Sequence, residues 1–353
     1  MTEIPLALAV AAGLNFALLL FIAGAKLLRE RRQRAGERIR ESLLDEVIPV
    51  LESPGADPPL PPPRGLAGAA ALETIVSLIA VLKGDARRRL VQMLERHGYI
   101  DALLERTRSR SAFERSRAAS LLGAARSVKA AARLREMLTR DRSPDVRIVA
   151  AEALGSLGDM PAIPLLLDAA RDPTRYQEVR IANVLAGMGS AAVEPLQGAI
   201  DERDARLTSI VLDILNDIGA VYDTDRVARL LEHRSPEIRS RAAALLGTAG
   251  AVQHVADLLF VTRDPVWFVR LRAVKALAAL GVPVSREDRD AYFNVLEHLL
   301  YDEWWIVRRN AVAALAAAGD DGVSKLRSVG SDVAQAAIVF REVHRGRQVP
   351  IVV

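Results

Sequence analysis

The chain has 353 residues, of which half are hydrophobic and only 4% are aromatic, and its formal net charge is +4 at pH 7. It contains no cysteine, which excludes a disulfide framework and a thiolate metal site. Most of the positive excess lies near the N-terminus, and elsewhere basic residues alternate with acidic ones. The composition therefore predicts no nucleic-acid partner.

The first predicted element, at residues 1–25, is a membrane anchor. Residues 5–25 contain no charge, and about 20 apolar residues suffice to cross a bilayer as a helix. Lys26 and six arginines within residues 29–40 follow this run, the reverse of the charge order in a cleavable signal peptide. The positive-inside rule then places the N-terminus outside and the rest of the chain in the cytoplasm. We therefore expect a single-pass protein of the bacterial inner membrane.

Small residues recur on one face of this anchor helix. Ala9, Gly13 and Ala17 are spaced by four, and Asn15 is the one strongly polar side chain of the run. Small residues at this spacing allow close helix–helix packing in lipid, and an asparagine adds an interhelical hydrogen bond. These four residues are candidates for packing on another membrane helix. The alternative is that they reflect the ordinary composition of membrane helices.

Residues 26–52 form a predicted basic amphipathic helix at the membrane surface. Ile39, Leu43 and Val47 lie on one stripe of this helix. The basic residues at 26–40 are expected to lie near anionic lipid headgroups. Alternatively, these charges serve only as a topology signal.

A proline-rich linker is predicted at residues 53–65, where six prolines favour an extended, semi-rigid spacer. The apolar run at residues 66–82 requires a separate decision, because it resembles a second membrane span. It contains Glu73, and a carboxylate in lipid is costly. We therefore assign it to the first helix of a repeat array at residues 66–353.

This array is defined by a leucine that recurs every 28 to 38 residues and is followed four residues later by glycine. The leucines are Leu94, Leu122, Leu154, Leu185, Leu215, Leu246, Leu277 and Leu315. The residues four positions later are Gly98, Arg126, Gly158, Gly189, Gly219, Gly250, Gly281 and Gly319. Around Leu154, apolar residues at helical spacing, a turn at residues 159–161 and a second apolar run predict helix–turn–helix. The predicted fold is an all-α solenoid of about eight such repeats, preceded by the transmembrane helix.

Arginine occupies a second recurring position, seven residues before the leucine, in six of the eight repeats. These arginines are Arg87, Arg115, Arg147, Arg239, Arg270 and Arg308. Acidic residues precede this position by six residues in five repeats, at Asp141, Asp172, Glu202, Asp264 and Asp302. A guanidinium bridges carboxylates well, so this pattern predicts ion pairs that connect successive repeats. The alternative is a row of ligand-binding arginines. Glu178 and Thr208 replace arginine and are expected to interrupt the pairs.

At these residues the chain resembles the HEAT-repeat family, and more narrowly the short bacterial phycobilisome-lyase-like HEAT repeats. The resemblance rests on Val146-Arg147, Ala150-Ala151, Leu154-Gly155 and Gly158, and on the corresponding residues of segments 238–250 and 269–281. It covers residues 66–343. It implies an α-solenoid, a fold that serves mostly as a binding scaffold. The word lyase also implies a tetrapyrrole enzyme, which remains a remote alternative because no residue here supports that chemistry.

Large aromatic residues are concentrated in two adjacent repeats near the C-terminal end. Trp267-Phe268 and Trp304-Trp305 stand just before Arg270 and Arg308. Tryptophan and arginine are favoured at the energetic centres of protein interfaces. We therefore take these six residues as candidates for binding a partner protein. The alternative is that the rings fill the core of the longest, 38-residue repeat.

No motif for catalysis or for a cofactor is recognisable in the sequence. The five histidines lack metal-binding spacing, and neither a glycine-rich phosphate loop nor a nucleophile elbow occurs. We therefore expect a non-enzymatic scaffold without a cofactor, which binds or positions a partner protein at the inner membrane. The alternative is an accessory subunit of a multi-pass membrane enzyme, such as an envelope polysaccharide glycosyltransferase, with the anchor helix packed on that enzyme.

Overall fold

The fold was analysed in a computed structural model, which describes residues 26, 37, 40–51, 57–171, 175–201, 203–221 and 223–329. These residues are almost entirely helical, and no β-strand occurs among them. The chain comprises two compact units, Met1–Leu157 and Gly158–Val353. The described part of each unit is built of helices joined by tight turns, which confirms the all-α, solenoid-like prediction.

The first unit contains seven α-helices and one short 3-10 helix among its described residues. They are α1 (residues 40–51), α2 (Gly65–Val81), α3 (Gly84–Arg96), α4 (Tyr99–Arg106), α5 (Ala112–Ala125), the 3-10 helix Val128–Ala130, α6 (Ala131–Arg140) and α7 (Pro144–Leu157). Helices α5 and α7 pack side by side, and α6 packs against α7. Helix α2 packs on α3 and α5. The apolar run at residues 66–82 is thus part of the array.

The second unit repeats the same pattern. Its helices are the 3-10 helix Met160–Ala162, α8 (Ile163–Ala170), α9 (Arg175–Gly187), the 3-10 helix Gly189–Ala192, α10 (Val193–Gly198), α11 (Ala205–Ile218), α12 (Thr224–Arg229), the 3-10 helix Leu230–Glu232, α13 (Pro236–Thr248), the 3-10 helix Val252–His254, α14 (Val255–Val261), α15 (Trp267–Leu280), α16 (Arg286–Leu299), α17 (Trp305–Ala317) and α18 (Gly319–Val329). Helices α9, α11, α13, α15 and α17 pack in sequence, each on the next.

The leucine–glycine motif has the structural role that its spacing predicts. All eight leucines are fully buried, at 0% exposure. All eight residues four positions later have positive φ, including Arg126 with φ 53°. This left-handed conformation ends a helix and turns the chain, which explains why glycine is preferred there.

Small residues allow neighbouring helices to approach closely. A Cβ atom on Gly123 would lie 2.6 Å from the Cα atom of Ala153, and one on Gly247 would lie 2.6 Å from that of Ala276. These contacts join α5 to α7 and α13 to α15. Any side chain at either glycine would therefore push the two helices apart.

Arginine–aspartate pairs connect successive repeats, as the sequence predicts. The pairs present among the described residues are Arg115–Asp141, Arg239–Asp264 and Arg270–Asp302, each joined by two bonds of 2.7–2.9 Å. In each pair, Nε and Nη2 donate to the aspartate of the next repeat, and Nη1 donates to a loop carbonyl of its own repeat. The predicted acidic residues Asp172 and Glu202 lie outside the described residues.

Other polar contacts take over where arginine is absent from the recurring position. Thr208 is fully buried, and its hydroxyl donates to the Asp201 carbonyl at 2.7 Å. This bond satisfies a loop carbonyl, as Nη1 of the recurring arginine does in other repeats. Arg206 pairs with Glu178 at 3.3 Å. The buried amide of Gln197 accepts from the backbone N–H of residue 223 at 2.9 Å and donates to the carbonyl of the same residue.

The segments before the array were predicted as a surface helix and a spacer, and their described residues contact the array. In α1, Leu43, Val47 and Val50 are buried, and the Leu51 carbonyl accepts a bond of 2.7 Å from Arg89. In the proline-rich segment, Pro61 accepts a bond of 2.6 Å from the hydroxyl of Tyr99, and Asp57 lies 3.0 Å from the guanidinium of Arg96. Residues 57–64 therefore lie against α3 and α4.

The predicted transmembrane helix at residues 5–25, with Ala9, Gly13, Asn15 and Ala17, lies outside the described residues, as does most of the basic segment 26–40. Within the described ranges, no helix combines the length and the apolar character needed to span a bilayer.

Candidate functional site: a tryptophan surface

The structure brings the predicted aromatic candidates together at one edge of the second unit. We call Trp267, Phe268, Trp304 and Trp305 the tryptophan surface. The rings of Trp267 and Trp304 are stacked, with centroids 5.0 Å apart and planes 20° apart. Phe268 meets Trp267 edge to face at 5.8 Å. Residues from two adjacent repeats thus form one aromatic cluster.

The repeat architecture explains why these rings meet. Trp267 is the first residue of α15, and Trp304 directly precedes α17, which packs on α15. The same loop edge therefore carries both residues in consecutive repeats. Trp305, the first residue of α17, lies beneath the guanidinium of Arg309, whose Cζ is 5.6 Å from the ring centroid. This distance is within the range of a cation–π contact.

Exposure distinguishes the surface rings from the aromatic core of the same repeat. Trp304 is 44% exposed and Trp305 is 59% exposed. Trp267 and Phe268 are partly buried. Tyr292 and Phe293, in contrast, are buried within α16, where they pack edge to face at 5.5 Å. The long repeat thus buries Tyr292 and Phe293 in its core, whereas Trp304, Trp305 and Tyr301, which is 71% exposed, face solvent.

Arg270 and Arg308, also predicted as binding candidates, hold the loop that carries the tryptophans. Arg270 is 9% exposed, and its guanidinium is bound by Asp302 at 2.7 and 2.9 Å and by Glu303 at 3.3 Å. Arg308 Nη1 donates to the carbonyls of Asp302 and Glu303 at 2.7 and 3.1 Å. Asp302 in turn accepts the backbone N–H of Trp304 at 2.9 Å. Both arginines therefore fix the position of the Trp304 ring.

The electrostatics of this loop follow from the same contacts. Burial alone raises the pKa of the Asp302 carboxyl, but bonds from Arg270 and from the Trp304 N–H, together with the charge of Arg308, bring that pKa below its usual value. The carboxylate therefore stays ionised at neutral pH. It already accepts bonds from Arg270 and from the Trp304 N–H, whereas the rings of Trp304 and Trp305 are exposed to a ligand.

Two contributors to this surface were not identified from the sequence. Glu303 accepts a bond of 3.1 Å from the indole Nε1 of Trp304, and Arg309 covers Trp305. Glu303 directly precedes Trp304, and Arg309 lies one helical turn after Trp305. A search for polar residues within four positions of the pair would have found them.

Among the described residues, no group of three or more histidine, aspartate or glutamate side chains is arranged to hold a metal ion. His254 is the one largely buried histidine of this part of the chain. Its ring nitrogens lie 2.9 Å from Asp257 and 3.1 Å from Asp225, so it connects α12 with α14.

Comparison of the structure with solved structures shows the fold. The chain is similar to Kap121p bound to Nup53p, with 13% identity and a TM-score of 0.53 over 77% of this chain and 35% of Kap121p. It is also similar to the complex of CpcE and CpcF of phycocyanin lyase from Nostoc sp. PCC7120, with 22% identity and a TM-score of 0.40 over 44% and 99% of the two chains. An engineered protein matches with 17% identity and a TM-score of 0.41 over 83% and 87%.

Comparison of the sequence identifies the family. No curated protein matches at a significant level. The family described as HEAT repeats matches residues 100–186 and 224–316, just over half of the chain. Those ranges contain the arginine–aspartate pairs and the tryptophan surface described above. The chain therefore belongs to the HEAT-repeat family.

Proposed function

We propose that this protein is a non-enzymatic scaffold, held at the bacterial inner membrane by residues 5–25, which binds a partner protein through the tryptophan surface. The cytoplasmic repeats would position that partner next to the membrane. Tethering a binding module raises the effective concentration of its ligand at the tether.

The observation that carries the proposal is the exposure of Trp304 and Trp305 at a fixed loop, where Trp304 also stacks on Trp267. An indole buries a large area when it is covered, so two exposed tryptophans leave considerable apolar surface in water. Elsewhere in the array, the residues at the position of Trp305 are small or polar, apart from Trp267. The repeat fold therefore does not require these rings. Since Arg270 and Arg308 already fix the loop, a partner would lose little entropy in ordering it.

The family supports a protein ligand in general terms. HEAT arrays present extended surfaces built from repeated loops and helices. Kap121p, which has the same type of fold, is bound to Nup53p. The membrane part of the proposal rests on the sequence, where the uncharged run precedes seven basic residues within residues 26–40.

The test is removal of the two exposed rings from the full-length protein. Trp304→Ala together with Trp305→Ala should weaken association with the partner by about 2 kcal/mol or more, because hot-spot aromatics dominate interface energy. The measurement is quantitative recovery of proteins cross-linked to this chain in native membranes, for the variant and the wild type.

A matched control removes two other exposed rings. Phe113 and Phe260 are each 71% exposed and do not belong to the tryptophan surface. Phe113→Ala with Phe260→Ala should leave recovery unchanged. Circular dichroism and thermal melting of the tryptophan variant should match those of the wild type. A large loss of stability would show that the rings are core, and unchanged recovery would show that they do not bind the partner.

A further inference from the structure

A second surface of different chemistry lies in the first unit. A cleft opens between the loop at residues 107–111 and the loop at residues 140–143, which belong to successive repeats. We call it the arginine cleft. Its charged lining residues are Arg108, Arg110, Arg115, Arg133, Arg140, Arg142, Glu136 and Asp141. Six guanidinium groups thus face two carboxylates.

Hydrogen bonds to backbone carbonyls fix the walls of the cleft. Arg133 donates to the Thr107 carbonyl at 3.0 Å, and to its hydroxyl at 2.9 Å. Arg142 donates to the Arg110 carbonyl at 2.6 Å and so ties the two loops together. The guanidinium groups of Arg133 and Arg142 are therefore held in place by the backbone of the cleft walls.

Only some of the positive charge is neutralised by the protein. Arg115 is paired with Asp141, and Arg133 with Glu136 at 2.6 Å. The bond from Arg133, followed by the charges of Arg133, Arg140 and Arg108, lowers the pKa of Glu136 although this carboxyl is in water. Arg108 pairs with Glu105 at 2.5 Å, but both side chains are largely exposed, and such pairs contribute little.

Three guanidinium groups remain without a carboxylate partner. Within the described chain, the side chains of Arg110 and Arg140 make no hydrogen bond and no ion pair, and Arg142 binds only the Arg110 carbonyl. All three are exposed. Like charges on one cleft repel one another, so an anion that enters it gains from all three.

Comparison with the second unit shows that the repeat fold does not require this cluster. Arg115 and Asp141 correspond in register to Arg239 and Asp264, which make the same pair. In that register, Arg108, Arg133 and Arg142 correspond to Glu232, Ala256 and Pro265, whereas Arg110 and Arg140 correspond to Arg234 and Arg263. The equivalent position in the second unit therefore has three fewer arginines and the same number of acids, because Glu232 is gained where Leu259 stands in place of Glu136.

The number of free guanidinium groups indicates the chemistry of the ligand. One guanidinium suffices to bind a carboxylate bidentately. A phosphate monoester carries a charge near −2 and three acceptor oxygens, so it can bind several guanidinium groups at once. We propose that the arginine cleft binds a phosphate monoester on a segment of a partner protein. A recessed site between two loops suits a projecting phosphorylated side chain better than the flat surface of a bilayer.

The test uses the full-length protein in detergent micelles and a fluorescein-labelled glycine–alanine peptide with one phosphoserine. Fluorescence anisotropy measures its dissociation constant. We expect the phosphopeptide to bind at least tenfold more tightly than the same peptide with serine or with glutamate. Arg110→Gln with Arg140→Gln should weaken phosphopeptide binding at least tenfold. Since neither side chain bonds within the described protein, melting should not change.

The control is the register-matched pair in the second unit, Arg234→Gln with Arg263→Gln, which should leave the affinity unchanged. An equal loss in this control would show non-specific charge attraction. Equal affinity for the glutamate peptide, or no binding of the phosphopeptide, would overturn the proposal. Tenfold tighter binding of soluble inositol trisphosphate would assign the cleft to lipid headgroups instead. The variant lacking Trp304 and Trp305 should bind the phosphopeptide normally, so the two surfaces can fail independently.

Discussion

Arg126 occupies a backbone position that glycine fills in the other seven repeats. Its φ of 53° is the one positive value at a non-glycine residue among the described residues. For a residue with a Cβ atom this conformation costs roughly 1–2 kcal/mol, because Cβ approaches the following carbonyl. The side chain is exposed, so no packing is lost when it is removed.

Arg126→Gly should therefore raise the free energy of unfolding by about 0.5–1 kcal/mol, the strain relieved less the extra entropy of glycine in the unfolded chain. Chemical denaturation of the two proteins checks this. Arg126→Ala is the control, because it removes the guanidinium and keeps Cβ, and it should give no gain. If alanine stabilises as much as glycine, the effect belongs to the charge and not to the backbone.

For single residues, the sequence predicts the recurring buried leucines and the helix-ending glycines well. It does not predict which aromatic side chains are exposed. The buried leucines and the helix-ending glycines follow from a local motif that repeats eight times. Trp304 and Tyr292 could not be separated in this way, because both lie in the longest repeat. Their exposure depends on tertiary contacts. Tyr292 is buried because α16 packs on the array, whereas the Arg270–Asp302 pair fixes the loop on which Trp304 is exposed.

The arginine–aspartate pairs stabilise the stacking of whole elements. Asp302 connects Arg270 of one repeat to the loop before α17, and both side chains of the pair are nearly buried. Asp302→Asn removes the charge and leaves Arg270 with only the exposed carboxylate of Glu303 at 3.3 Å, which should cost about 3 kcal/mol at neutral pH. The control is Asp290→Asn, at an exposed position of α16, which should be close to neutral.

The pH dependence of this cost has a defined sign. Since the pKa of Asp302 is lower in the folded protein than in the unfolded chain, the unfolded chain binds the extra proton as the pH falls. The stabilising contribution is complete above the unfolded pKa of about 3.9 and decreases as the pH falls toward the folded value. The difference between wild type and Asp302→Asn should therefore shrink below about pH 4 in denaturation experiments. A difference that is constant from pH 7 to pH 3 would show that ionisation of Asp302 does not matter.

The arginine cleft was not predicted from the sequence, because it depends on a contact between two elements. Arg110 and Arg142 are 32 residues apart and belong to different repeats, so neither appears in a basic run. Their side chains share a cleft only because the repeat period places equivalent loops side by side. Aligning the repeats and reading the loop positions five and seven residues before the recurring arginine would have shown the excess of positive charge.

For the whole molecule, the described helices show the HEAT-repeat fold. The proposed function places this fold at the bacterial inner membrane. The two surfaces lie in different units, the arginine cleft in the first and the tryptophan surface in the second. One chain could therefore hold two ligands, or two segments of one partner. The proposed membrane tether would convert such binding into recruitment only if both units are on the cytoplasmic side.

The last prediction tests that orientation. The uncharged run at residues 5–25 is followed by Lys26 and six arginines within residues 29–40, whereas Glu3 is the one charged side chain before it. Positive residues resist export, so the segment after the run should remain inside. Phosphatase fusions after Arg40 and after Val353 should both be inactive, and fluorescent-protein fusions at the same sites should both be bright. Phosphatase activity at either site would place that part of the chain in the periplasm and overturn the proposed orientation.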